Sequence, residues 1–211
     1  MAAEKRNFDK EASTWDEEPR RLRLAADVAD SIMSQVRLSP EMEALDYGCG
    51  TGLVTMQIQP HVRSITGADT SKGMLDVLAR KAAECGAANM RTALIDPARD
   101  TPVDGKYNLI VSSMTLHHVE DVQTLFNSLF SMLLPGGVLC VADLDAEDGS
   151  FHPDKTGVFH FGFDRREIGK MLDNAGFAGI RDMTASVIEK EDANATQHKF
   201  PVFLVTAEKQ R

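Results

Sequence analysis

Hydrophobic positions along the chain switch between a helical and an extended period. Leu22, Leu24, Ala25, Val28, Ile32, Met33 and Val36 recur at helical spacing, which predicts an amphipathic helix over 20–37, ended by Ser39-Pro40. A strand over 43–47 then runs into a glycine-rich turn, and 53–58 start a helix. A second strand, 64–68, ends at Asp69, and Ser71 caps a helix over 72–85 that Gly86 closes. A third strand, 90–94, leads to Ile95-Asp96-Pro97. The fourth, 107–112, carries the apolar run Leu109-Ile110-Val111 of a strand buried on both faces. A helix over 122–134, stopped by Pro135-Gly136-Gly137, precedes a fifth strand at 138–142. Strands alternating with helices predict right-handed crossovers and a parallel sheet.

The rhythm breaks at Asp143. Residues 145–163 are rich in Gly, His, Asp and Phe and too long for a plain connector. Asp164 caps a helix over 165–174 that ends at Gly176. Strands over 177–188 and 200–207 are joined by a polar stretch, 189–199, without a crossover helix, so they must be antiparallel. The expected fold is α/β: a doubly wound, Rossmann-like, mostly parallel sheet in three layers with an antiparallel C-terminal hairpin. One domain is expected over 1–211. Residues 1–37 would supply a lid segment and helix, 42–144 the ligand-binding core, 145–163 a substrate loop, and 164–211 the C-terminal helix and hairpin.

Composition narrows the function classes. The net charge of −9 argues against a general nucleic-acid binder, which needs a basic face. No apolar stretch reaches membrane-spanning length, and the charged start of the chain lacks the core of a signal peptide. Cys49, Cys85 and Cys140 are spread without a C-x-x-C pair, which suits a reducing, cytoplasmic setting. A monomer or homodimer acting on a small-molecule substrate is expected, with no nucleic-acid partner and no membrane.

The glycine turn reads Asp46-Tyr47-Gly48-Cys49-Gly50-Thr51-Gly52. Alternating glycines after a strand let the backbone take positive φ and lie flush against a ligand. The third glycine comes one residue too early for the dinucleotide fingerprint, and Asp46 would repel a pyrophosphate while accepting a cation. The stretch resembles the first motif of the class I S-adenosylmethionine-dependent methyltransferases, D-x-G-C-G-T-G. That resemblance implies S-adenosyl-L-methionine as cofactor, with its amino-acid end over Gly48, Gly50 and Gly52.

In an open parallel sheet the ligand lies at the carboxyl ends of the strands, where strand order reverses. Asp69, 23 residues after Asp46, is placed like the acid that accepts ribose hydroxyls. Thr70 follows it, and Met74 is a candidate packing partner for adenine. The resemblance implies that Asp96 accepts from the adenine amino group and that the backbone at Ser112 lies beside the methionine portion. Leu116-His117-His118 resembles an element of the branch that includes quinone-biosynthesis enzymes. His117, His118 and His160 are candidate bases or substrate-orienting groups. No metal is expected: His152 with His160 and a carboxylate has ligand chemistry, but nothing fixes the spacing. Phe8, Trp15 and the aromatic loop 151–163 are expected to close together over the site. A dinucleotide-dependent oxidoreductase and a cofactor-binding module without turnover are the alternatives at this level.

Overall fold

The structure, a computed structural model, describes residues 6–96, 103–191 and 196–211. Seven strands form one sheet: β1 (Glu43–Tyr47), β2 (Ser64–Asp69), β3 (Met90–Leu94), β4 (Tyr107–Ser113), β5 (Leu133–Leu144), β6 (Ala178–Glu191) and β7 (Gln197–Glu208). Their order is β3-β2-β1-β4-β5-β7-β6, and β7 alone runs antiparallel to its neighbours. The order reverses between β1 and β4, so the chain leaving β1 through the glycine turn opens at a topological switch point.

Alternate residues of each strand enter opposite cores, as the two-residue period requires. Ala44, Leu109, Val111, Cys140 and Ala142 face the helices α2 (Pro19–Gln35) and α3 (Thr55–Ile58) through Val28, Ile32 and Ile58. Leu45, Ile110, Leu139 and Val141 face α5 (Val122–Met132) and α6 (Arg165–Asn174) through Phe126, Leu129, Ile168 and Leu172. A further helix, α4 (Lys72–Glu84), packs Leu75 and Leu78 against Cys49. These are the expected three layers. Among the described residues, no helix is long and apolar enough to cross a membrane.

Three boundaries differ from the pattern. Pro135-Gly136-Gly137 lies inside β5, where the Gly136 amide bonds to Lys209 O (2.7 Å) and the Lys209 amide to Gly137 O (2.9 Å). Sheet pairing there replaces the plain helix stop. The polar stretch 189–199 is mostly ladder, with Glu189, Lys190 and Glu191 paired to Lys199, His198 and Gln197. Side-chain polarity is tolerated because β6 is an edge strand with one solvated face. The N-terminal lead folds as α1 (Phe8–Glu11) and a 3₁₀ turn, Ala12–Glu17. The turn expected at Pro97 lies outside the described residues.

Candidate active site

The glycine turn is held against β2 by backbone bonds. The Gly48 and Cys49 amides donate to Ala68 O (2.7 and 3.1 Å), and the Gly50 amide donates to Asp69 Oδ2 (2.8 Å). Gly48, Gly50 and Gly52 all have positive φ, at 74°, 53° and 80°. Their surroundings differ. A Cβ on Gly48 would collide with Thr115, and one on Gly52 with Leu78, whereas one on Gly50 would meet nothing within 4 Å. Gly52 is therefore a packing glycine beneath the turn. Gly50 faces open space.

That space is a cavity of about 520 Å³, lined at this end by Asp46, Gly48, Gly50, Asp69, Thr70 and Met74. Asp46 is 2% exposed and accepts a 2.6 Å bond from the Thr55 hydroxyl. Burial pushes its carboxyl up to about 7. Burial also raises Asp69, opposed by the amides of Ser71 and Gly50 that bond its two oxygens. Two expected positions are displaced by one residue. Ser112 is buried and donates to Tyr47 O (2.8 Å), and Ser113 lines the cavity instead. Asp96 is exposed, and Ile95 lines the cavity in its place.

The raised carboxyl of Asp46 has a consequence for stability. Its pKa is higher folded than unfolded, so its stabilising contribution is full below about pH 4 and is lost as pH rises through about 7. Asp46→Asn removes that loss. Its melting temperature should gain on wild type as pH rises across this window, by on the order of 2–4 kcal/mol in stability. A difference that stays flat with pH would mean Asp46 is ionised in the fold.

Opposite the glycines, three histidine rings gather. His117 and His118 lie on a 3₁₀ turn after β4, with ring centroids 4.2 Å apart, and His152 lies 4.9 Å from His117. His117 is 2% exposed, and its Nδ1 lies 2.7 Å from Oδ1 of the fully buried Asp143 at the end of β5. A carboxylate there accepts from Nδ1–H, which leaves Nε2 as the unprotonated nitrogen. The His118 Nδ1–H donates to Gly157 O (2.7 Å). Burial, then the His117 ring, holds His118 down to about 4. His152 is lowered to about 3, first by burial, and its Nε2 is buried without a hydrogen-bond partner. All three line the cavity. His160 does not join them: its Nε2 accompanies Val119 O at 2.9 Å and its ring sits against Phe163. The pairing of His152 with His160 does not form. Among the described residues, no group of three or more His, Cys, Asp or Glu is arranged to hold a metal ion.

The N-terminal lead covers the site as a docked segment. Phe8 and Trp15 pack with Ala12 on Met74 and Val77, and Phe8 reaches His118 at 5.2 Å between centroids. Two aspartates pin the segment. Asp9 accepts from the Ser71 hydroxyl (2.6 Å) and the Gly73 amide (2.7 Å), while Asp16 accepts from Thr51 Oγ1 (2.5 Å) and Lys81 Nζ (2.8 Å). Of the later aromatic loop, Phe151 lines the cavity, Phe163 joins the core, and Phe159 and Phe161 are exposed. Asp9, Asp16 and Thr115 escaped the sequence reading, because their partners are far away in the chain and none sits in a motif.

Comparison with known proteins agrees with this geometry. The model of a family described as methyltransferase domain matches residues 19–181. The chain is 34% identical over 168 residues to an uncharacterised methyltransferase of Schizosaccharomyces pombe, covering 72% of this chain and 57% of that relative. It is 27% identical over 176 residues to a phosphoethanolamine N-methyltransferase of Zea mays, covering 79% of this chain and 35% of the relative. The chain thus spans roughly a third to a little over half of these curated relatives. Among solved structures, the YcgJ protein of Bacillus subtilis superposes with a TM-score of 0.71 at 17% identity, covering 87% of this chain and 98% of that one. A phosphoethanolamine N-methyltransferase 2 of Haemonchus contortus in complex with S-adenosyl-L-methionine gives 0.71 at 16% identity, covering 87% and 52%. With the family model matching well over half its length, the chain belongs to the methyltransferase-domain family, in the class I S-adenosylmethionine-dependent group.

Proposed function

We propose that this chain transfers a methyl group from S-adenosylmethionine to a small-molecule acceptor held in the cavity between the glycine turn and the histidines. One observation carries the reading: Gly50 turns an open face to the cavity beside a partly buried carboxylate, Asp69, at the switch point of the sheet. The residues present fit the cofactor. The backbone at Gly48 and Gly50 would lie along its amino-acid end, Asp69 would accept from its ribose hydroxyls, and Thr70, Met74 and Ile95 would wall its adenine. Asp46, Asp96 and Ser112 would act through position, beneath or beside the ligand, while Gly52 keeps α4 close. When bound, the cofactor supplies an electrophilic methyl on a sulfonium leaving group.

The chain's own part is to hold the acceptor, exclude water and manage its proton. Asp143 fixes the His117 tautomer so that Nε2 can take a proton from an acceptor oxygen or nitrogen. His118 stays neutral at pH 7 and, with His152, would orient the acceptor by hydrogen bonding. His160 is assigned to holding the loop. Relatives named for phosphoethanolamine, trans-aconitate and ubiquinone biosynthesis support a small-molecule acceptor. The segment over 6–18 and the stretch 151–154 would form the lid and acceptor wall of a single catalytic domain. The acidic chain and its three free thiols support a cytoplasmic enzyme, monomer or homodimer, without a nucleic-acid partner.

The test is Asp69→Ala with S-adenosylhomocysteine titrated by calorimetry. Each lost bond to the charged carboxylate is worth about 1.5–3 kcal/mol, so affinity should fall at least tenfold. An unchanged dissociation constant would reduce Asp69 to a clamp on the Gly50 and Ser71 amides.

A further inference from the structure

Among the described residues, four cationic side chains line the cavity: Arg6, Arg20, Arg21 and Lys190. Two have their own carboxylate. Arg6 is held by both oxygens of Glu11 (2.8 and 2.7 Å), and Arg20 by both oxygens of Glu18 (3.0 and 3.1 Å). The other two have none within ion-pairing distance among the described residues. Arg21 donates to Trp15 O (3.0 Å) and lies 3.6 Å over the Trp15 ring. Lys190 donates to Phe151 O (2.6 Å) and sits 3.5 Å over the Phe151 ring. α2 packs on β6, and both side chains line the same cavity. Burial, then the charge of Arg20, takes Lys190 down to about 8 against the opposing fields of Glu147 and Glu18. Half-buried cations that line one cavity without a direct ion-pair partner gain when something negative joins them.

We propose that the methyl acceptor carries an anionic group, a carboxylate or a phosphate, bound between Lys190 and Arg21. The proposal rests on the reading of the cavity as a methyl-transfer site and adds the class of acceptor. Among the described residues, no carboxylate pairs directly with either cation. Asp46 and Asp69 belong to the glycine end, Glu18 is occupied by Arg20, and Asp154 accepts from the Thr156 amide. Glu147, whose field reaches Lys190, accepts from the Gly149 and Phe151 amides with Oε2, and its buried Oε1 has no hydrogen-bond partner, so it makes no ion pair with Lys190. The aromatic faces point the same way. Phe8, Trp15 and Phe151 each already hold one of the chain's own cations, which leaves a cationic acceptor fewer ring faces there. An ammonium with one donor used on Phe151 O keeps two for an anion, and the guanidinium adds its planar fork. Leu24, Ile188 and Phe151 offer the anion's apolar body a dry wall.

The experiment uses the full chain saturated with S-adenosylhomocysteine, read by calorimetry and by Trp15 fluorescence beneath Arg21. Benzoate and phenyl phosphate are compared with neutral benzamide. At least one anion should bind about tenfold or more tightly than benzamide, as charge-assisted bonds require. Benzoate and phenyl phosphate preferences then separate a carboxylate from a phosphate acceptor. Lys190→Met should abolish the preference for the anion, and Lys190→Arg should retain most of it, with affinity for S-adenosylhomocysteine unchanged in both. Equal or absent binding of all three probes, or an anion preference that survives Lys190→Met, overturns the proposal. If the wild-type chain fails to bind S-adenosylhomocysteine, it is the proposed methyl transfer that falls instead.

Discussion

Gly50→Val should abolish binding of S-adenosylhomocysteine while the chain still folds. A Cβ placed there meets nothing within 4 Å beyond its chain neighbours, so the side chain projects into the space assigned to the ligand. The cost to folding is the left-handed conformation alone, at φ 53°, on the order of 1–3 kcal/mol for a β-branched residue. Gly48→Val and Gly52→Val serve as contrasts. They drive a methyl into Thr115 or Leu78 and should lower stability sharply. A control in the hairpin, Lys199→Ala, should leave binding intact, since Lys199 makes an exposed pair with Glu189. Retained affinity in a folded Gly50→Val protein, followed by calorimetry and melting temperature, would place the cofactor elsewhere.

Replacing His117 is expected to give the largest kinetic effect. His117→Gln keeps a polar side chain but removes the basic Nε2. With any acceptor the wild type turns over, kcat should fall about 10²–10⁴-fold, as for loss of a general base. Affinity for S-adenosylhomocysteine should hold. Asp143→Asn should share part of that loss, because its oxygen can still accept from Nδ1–H but the charge that would stabilise the imidazolium formed on proton transfer is gone. A rise in KM at constant kcat would instead make the pair a structural brace for the turn that carries Leu116 and His118. His160→Gln is the internal comparison and should leave kcat near wild type, since its nitrogen is turned toward Val119 O.

Much of this architecture is written in short-range pattern. The Leu109-Ile110-Val111 run, the single-residue caps Ser71 and Asp164, and the missing crossover before β7 each constrain one element, and together they leave one sheet topology. The glycine turn was legible for the same reason, since positive φ at alternate positions needs a residue without Cβ. Roles among the three glycines were not, because what separates Gly50 from Gly48 and Gly52 is the distant presence of Thr115 and Leu78. Ser112 and Asp96 show the limit of counting along a strand. One residue shifts a side chain to the other face, so Ser113 and Ile95 line the cavity in their place. The histidine cluster depended on tertiary contact: His152 meets His117 across 35 residues of chain, while the equally plausible His160 turns away. Lys190 and Arg21 carry no motif at all. Their meaning comes from the lack, among the described residues, of a carboxylate within ion-pairing distance.

The central claim is that the cavity beside Gly50 and Asp69 takes an adenosyl-sulfur ligand and not a dinucleotide. Calorimetric titration of the unmodified chain with S-adenosylhomocysteine, and separately with NAD, tests it most directly. One-to-one binding of S-adenosylhomocysteine with no heat from NAD is the predicted result. Tight NAD binding with no response to S-adenosylhomocysteine would contradict it.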